Sequence, residues 1–274
     1  MSVLFGIIVG LALGLTGGGG SIFAVPLLIY GLDVAPRSAV AVSLAAVAIT
    51  AAFGAVESHL RGVLEVRAAL IFAVAGMLAA PLGVYLGGQV SEAVVVLLFA
   101  ALMLIVAVRM MLKARRAPAE SAIVRARPSA QAGADPGTVC RYSTDGRLRL
   151  NAPCSAALLL VGLVVGVLSG FFGVGGGFLI VPALILITEM GMHRAVATSL
   201  LVIALIGLSG VISAVFAGRD IDWALTALFV VGGLIGMFGG RALARYLAGA
   251  TLQIVFAVAM IAIAVFIGVA KLWL

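Results

Sequence analysis

Gly14-Leu15-Thr16-Gly17-Gly18-Gly19-Gly20-Ser21-Ile22-Phe23-Ala24-Val25-Pro26 breaks an apolar run with four consecutive glycines. Gly170-Phe171-Phe172-Gly173-Val174-Gly175-Gly176-Gly177-Phe178-Leu179-Ile180-Val181-Pro182 breaks another in the same manner, 156 residues later. The offset extends outward from both stretches. It pairs Gly6 and Gly10 with Gly162 and Gly166, Ser43-Leu44 with Ser199-Leu200, Gly54 with Gly210 and Gly62 with Gly218. After one inserted residue it becomes 157 and pairs Gly76 and Gly83 with Gly233 and Gly240. The chain is a duplication. In a membrane protein, Gly/Pro-interrupted apolar segments at corresponding points of two halves point to a substrate site.

Composition calls for lipid as the solvent. Of 274 residues, 64% are hydrophobic and 10% charged, and the mean hydropathy is +1.32. A soluble domain is about half apolar and about a quarter charged. Charge-poor runs cover 3–32, 38–56, 68–91, 93–108, 155–188, 195–217, 223–240 and 247–270. Several reach the ~20 residues that cross ~30 Å of hydrocarbon. Backbone in that solvent must satisfy itself, so the runs are helices. Continuous runs, rather than ~10-residue alternating ones, argue against an outer-membrane barrel.

The formal net charge of +7 would suggest nucleic acid in a soluble protein. Here it reads as a topology signal, and no nucleic-acid partner is expected. Eight of the 17 Lys and Arg lie between Lys113 and Arg149, and loops rich in these residues stay cytoplasmic. Met1-Ser2 leads directly into apolar sequence without a basic n-region, so no cleavable signal peptide is expected. Cys140 and Cys154 border this basic linker and are expected as reduced thiols if it is cytoplasmic. No His cluster accompanies them, so no metal site is expected.

Each half divides into five apolar pieces: 2–15, 20–32, 38–58, 67–88 and 92–112, then 156–171, 175–189, 194–217, 222–243 and 250–272. The first two of each half are short and suit a broken or re-entrant element. Three regions follow: a first transmembrane repeat at 1–112, a basic cytoplasmic linker at 113–153 and a second repeat at 154–274. With the linker inside, Arg61–Arg67 and Arg241–Arg245 also fall inside, while Asp33–Arg37, Gly87–Glu92 and Arg219–Asp222 fall outside. Both termini are then external. The basic loops alternate consistently only if the halves point in opposite directions, a signature of secondary transporters. The expected fold is an all-α polytopic membrane protein of two inverted-topology repeats, with 8–10 membrane segments. Within the linker, Val139 to Leu150 suits a small hairpin around Asp145-Gly146 or, equally, an unstructured loop.

Polar chemistry is sparse. Neither glycine cluster has the lysine, preceding strand or ribose-binding carboxylate of a nucleotide site. A glycine turn at a helix start instead offers backbone N–H groups to an anion. This nominates Thr16, Gly17, Gly18, Gly19, Gly20 and Ser21, and in the second half Gly173, Gly175, Gly176 and Gly177, as a substrate-binding set. The plain alternative is close helix packing. Ser43 and the Thr198-Ser199 pair, at equivalent points of the halves, are added as hydroxyl donors, although such hydroxyls often bond their own helix. Arg37, His193 and Arg194 flank the third pieces and suit attraction of an anion at each mouth, or interfacial anchoring. Outside the linker the acidic residues all lie near segment ends, which disfavours a central proton relay and favours an anionic substrate. The stripes Gly6/Gly10/Gly14, Gly162/Gly166/Gly170 and Gly232/Gly236/Gly240 are close-packing faces that suit a homodimer or internal contacts. No nucleophile–base cluster is present, so neither an enzyme nor a cofactor is expected.

The two quoted stretches, with Ala39-Val40-Ala41-Val42-Ser43-Leu44 and Ala195-Val196-Ala197-Thr198-Ser199-Leu200, resemble the TauE/SafE family of sulfite exporters. The resemblance spans both halves. It implies a polytopic inner-membrane protein that moves a sulfur-containing anion such as sulfite or an organosulfonate. Lipid and the small anion are then the partners, with a coupling ion left open. A carrier of an unrelated anionic metabolite, or a scaffold whose glycines only pack helices, are the other readings.

Overall fold

The structure, a computed structural model, describes residues 1–18, 20–116, 140–142, 148–149, 151–172, 177–188, 190–216, 222–244 and 246, with scattered positions from 251 to 265. Nine helices are defined among them. The first half holds α1 (Ser2–Thr16), α2 (Gly20–Leu32), α3 (Pro36–Leu60), α4 (Val66–Gly88) and α5 (Glu92–Arg116). The second holds α6 (Ala152–Phe172), α7 (Gly177–Thr188), α8 (Met192–Phe216) and α9 (Trp223–Ala244). These bounds follow the apolar pieces to within a few residues. Five of them, α3, α4, α6, α8 and α9, are long and apolar enough to span a membrane. The protein is an all-α, multi-pass membrane protein.

α1 stops where Gly17 takes a left-handed backbone (φ 69°) and donates its N–H to Leu13 O. A glycine there carries no Cβ penalty. α2 then turns back along α1: a methyl at Gly20 would lie 2.9 Å from Leu13 Cβ, and one at Gly31 2.6 Å from Phe5. At 1.5 Å per residue the two arms are about 22 and about 20 Å long, short of the ~30 Å core. The pair is therefore an antiparallel hairpin of two short helices rather than one helix interrupted in line.

The glycine stripes dictate how the halves meet. A methyl at Gly6 would lie 2.5 Å from Phe229 O, one at Gly10 2.7 Å from Gly233 Cα and one at Gly14 3.0 Å from Met237 Cα. The register ascends in both helices, so α1 and α9 are parallel and backbone touches backbone. α6 repeats this on α4, where Gly162 meets Phe72 O at 2.9 Å and Gly166 meets Gly76 Cα at 2.6 Å. The stripes are thus consumed within one chain. The homodimer expected through these Gly-xxx-Gly faces would have to use other surfaces, because the chain's own helices fill them.

α3 and α8 cross in the opposite sense. Gly54 approaches Leu200, Gly207 approaches Ala48 and Gly210 approaches Leu44, so one number falls as the other rises. Equivalent helices of two repeats run antiparallel only if a two-fold axis lies across them, which is the inverted arrangement. These two form the centre: 67% and 61% of their apolar spans are buried, against 39% in α4 and α9. α4 keeps Ala69, Phe72, Ala73 and Ala79 inside while Leu70, Val74, Leu78 and Leu82 are exposed. An exposed apolar stripe of that length needs lipid.

The linker forms the small hairpin in part. β1 (Arg141–Tyr142) pairs antiparallel with β2 (Leu148–Arg149), and the Asp145-Gly146 turn lies outside the described residues. The expectation of free thiols is corrected: Cys140 and Cys154 are joined in a disulfide. α6 begins at Ala152, so Cys154 sits in its first turn, and the strand that starts at Arg141 leaves Cys140 beside it.

Candidate functional site

The helix directions sort the chain into two ends. At one, called the linker end, lie the 61–65 loop, the starts of α6 and α8, the end of α9 and the tip of the α1–α2 hairpin. The opposite end holds Met1, the starts of α3 and α9, and the ends of α4, α6 and α8.

Thr16, Gly17, Gly18 and Gly20 form the described part of the first tip, and all are buried. The tip is seated on the other half. Ser199 of α8, fully buried, donates from Oγ to Gly17 O at 2.7 Å. The same Oγ lies 2.8 Å from Val196 O, and its one proton serves one carbonyl at a time. A methyl at Gly17 would lie 2.7 Å from both Ser199 Oγ and Val196 Cα. The other hydroxyls turn inward on their own helices: Thr16 to Ala12 O, Thr50 to Ala46 O, Thr188 to Leu184 O. Ser199 reaches across the repeats to the tip itself. Beside it, the start of α2 leaves its first N–H groups without intrahelical partners, on the positive end of the helix dipole.

Ser43 is buried at 3% exposure but does not join Ser199. The α3–α8 register sets Ser199 level with about residue 55 of α3, which is about 18 Å along the helix from Ser43. The two serines serve opposite ends of the molecule. By the repeat offset, the glycine that would meet Ser43 is Gly173. Gly19, Gly173, Gly175 and Gly176 lie outside the described residues, as do the side chains of Ser21 and Arg37. Gly177 opens α7 and is buried. Between the two ends, near the middle of α3, the packing leaves a small apolar cavity. Val9, Leu13, Ala46, Val47, Thr50 and Phe229 are among the residues that line it, and it offers about 10 Å³, about the space for one water centre.

The mouth residues of α8 are engaged. His193 Nε2 lies 3.2 Å from Ala244 O. Arg194 donates to Glu65 Oε1 at 3.2 Å, and the Glu65 N–H donates to Thr198 Oγ1 at 3.3 Å. Arg194 and Thr198 stand four residues apart on one face of α8, so together they clasp the 61–65 loop. Arg241 of α9 bridges to Glu57 of α3 and also contacts Ser58, while Arg61 pairs with the same Glu57. Sequence reasoning treated Glu57, Glu65 and Arg241 as segment-end charges and missed these pairings. The available signal was their opposite sign at one end of an inverted layout.

Comparison with known proteins gives one consistent result. The family model described as "Sulfite exporter TauE/SafE" matches residues 2–267. A "Probable membrane transporter protein" of Xylella fastidiosa (strain 9a5c) is 36% identical over 264 residues, covering 95% of this chain and 91% of that one. The "Probable membrane transporter protein YunE" of Bacillus subtilis (strain 168) is 27% identical over 271 residues, covering 95% and 94%. No solved structure matches the chain.

Proposed function

The chain belongs to the sulfite exporter TauE/SafE family, a family of membrane transporters, and from that premise we propose that it carries a small sulfur-containing anion, such as sulfite or an organosulfonate, by alternating access of its two halves. The observation that carries this reading is the seat of the first tip: a buried glycine turn of one half held by a hydroxyl of the other, within an inverted frame. By the inverted repeat, an equivalent seat is proposed at the opposite end, where the counterpart of Gly17 is Gly173, outside the described residues. Ser43 would serve there as Ser199 serves here.

The chemistry suits an anion. The start of α2 presents N–H groups at the positive end of its dipole. Ser199 can turn its proton from Gly17 O to an arriving oxyanion without leaving its rotamer well. Binding by backbone and hydroxyl donors, with no buried cation, is moderate and suits a carrier that must release its cargo. In proteoliposomes, sulfite and an alkyl sulfonate are expected to be taken up or to compete, while an amine and a sugar are not. Preference for the amine or the sugar would sink the anion reading.

We assign the linker end to the cytoplasm and the protein to the inner membrane. Of the eleven described Lys and Arg positions, only Arg37 lies at the opposite end, and positive loops stay inside. The Cys140–Cys154 bond lies at the linker end, where a reducing pool opposes it. Ten basic positions against one outweigh it, so the bond is a reversible one. Acid-quenched alkylation is expected to find both thiols free in growing cells and joined in protein purified in air. A bond that persists in growing cells would put the linker outside and reverse the orientation.

A further inference from the structure

We propose that the Glu57–Arg241 and Glu65–Arg194 bridges are a latch that holds the linker end shut, so that the resting transporter is closed there and opens first at the opposite end. Each bridge joins one half of the chain to the other. Opening this end by moving the halves apart must therefore break both. The pairs are shielded enough to count: side-chain exposures are 14% and 21% for Arg241 and Glu57, and 34% and 19% for Arg194 and Glu65. The latch also carries the first hairpin tip. The clasped segment of α8 runs from Arg194 through Thr198 to Ser199, whose hydroxyl holds Gly17.

The asymmetry is written into the duplication. By the repeat offset, Arg241 corresponds to Val84, Arg194 to Ser38 and Glu57 to Ser213. Neither bridge can form at the equivalent positions of the opposite end. Glu65 keeps an acidic counterpart, Asp222, at the offset of 157, but the position that would pair with it is Ser38. Among the described side chains, the ion pairs that join the halves lie at the linker end. The inference rests on the transporter reading, since a latch has meaning only where the halves move.

The test is amide hydrogen exchange on the full-length protein in lipid nanodiscs. It compares segments 61–66 and 192–199 at the linker end with 36–43 and 209–216 at the opposite end. In Glu57→Gln/Glu65→Gln, the linker-end segments are expected to exchange about three- to tenfold faster, the scale of two partly exposed ion pairs. The opposite end should stay unchanged. The exchanged pair Glu65→Arg/Arg194→Glu should move the rate back toward wild type relative to Glu65→Gln. If the variants do not fold, the wild type itself answers: raising NaCl from about 0.05 M to about 1 M shortens the screening length to about 3 Å, and the same local acceleration is expected. No acceleration with salt or mutation, or equal acceleration at both ends, overturns the latch. Anion flux, measured separately, tests the transport reading, so each can fail without the other.

Discussion

Gly10→Ala is expected to cost about 1–3 kcal/mol of stability and to remove most of the folded, inserted protein. A methyl there would lie 2.7 Å from Gly233 Cα and overlap the Gly233 carbonyl. No rotamer can relieve this, because both contacts are backbone. The helices must separate, and with them the dispersion contacts that hold α1 against α9, the chief attraction available between helices in lipid. Gly166→Ala, its counterpart in the second half, meets Gly76 Cα at 2.6 Å and should lose as much. Gly239→Ala is the control. Nothing lies within 4 Å of a methyl at that site, and alanine is the better helix former by about 0.5–1 kcal/mol. Thermal midpoints of the three variants by size-exclusion chromatography decide it. If Gly10→Ala melts with Gly239→Ala, α1 and α9 do not cross in contact.

This contrast shows what a single sequence discloses. The helices were legible because lipid leaves the backbone few choices, and the glycine clusters marked where the short arms turn. Inversion was legible because Arg61, Arg67 and Arg241 obey a rule about side, not about contact. The partners of the stripes were not. Gly10 and Gly233 are far apart in sequence, and a small-residue face fits any other small-residue face. The distance between Ser43 and Ser199 was hidden for a related reason. Repeat symmetry guarantees equal depth measured from opposite surfaces, and only the α3–α8 register converts that into separation. Glu57 and Arg241 lie 184 residues apart, and no local pattern joins them.

The remaining prediction concerns the seat of the first tip, where packing and binding give different results. Gly17→Ala is strained twice, by its positive φ of 69° and by Ser199 Oγ and Val196 Cα at 2.7 Å. It should abolish transport and lower stability together, so by itself it does not separate the two roles. Ser199→Ala does. As a packing residue Ser199 supplies one neutral hydrogen bond to Gly17 O, a net contribution of about 1 kcal/mol, and its loss would be felt in stability alone. As an anion ligand it supplies a hydrogen bond to a charged group, about 1.5–3 kcal/mol, which is about a ten- to hundredfold loss of affinity. The expected result is a stability loss no larger than that ~1 kcal/mol, together with at least a tenfold rise in the sulfite concentration for half-maximal flux. Ser43→Ala should weaken transport from the opposite side of the membrane in the same way, since inverted halves exchange roles with direction. Gly10→Ala cannot serve as the control for this series, because a methyl there meets the Gly233 backbone. Gly239→Ala can. If Ser199→Ala and Ser43→Ala, alone and combined, keep wild-type flux per inserted molecule, the hydroxyls only pack and the anion is held elsewhere.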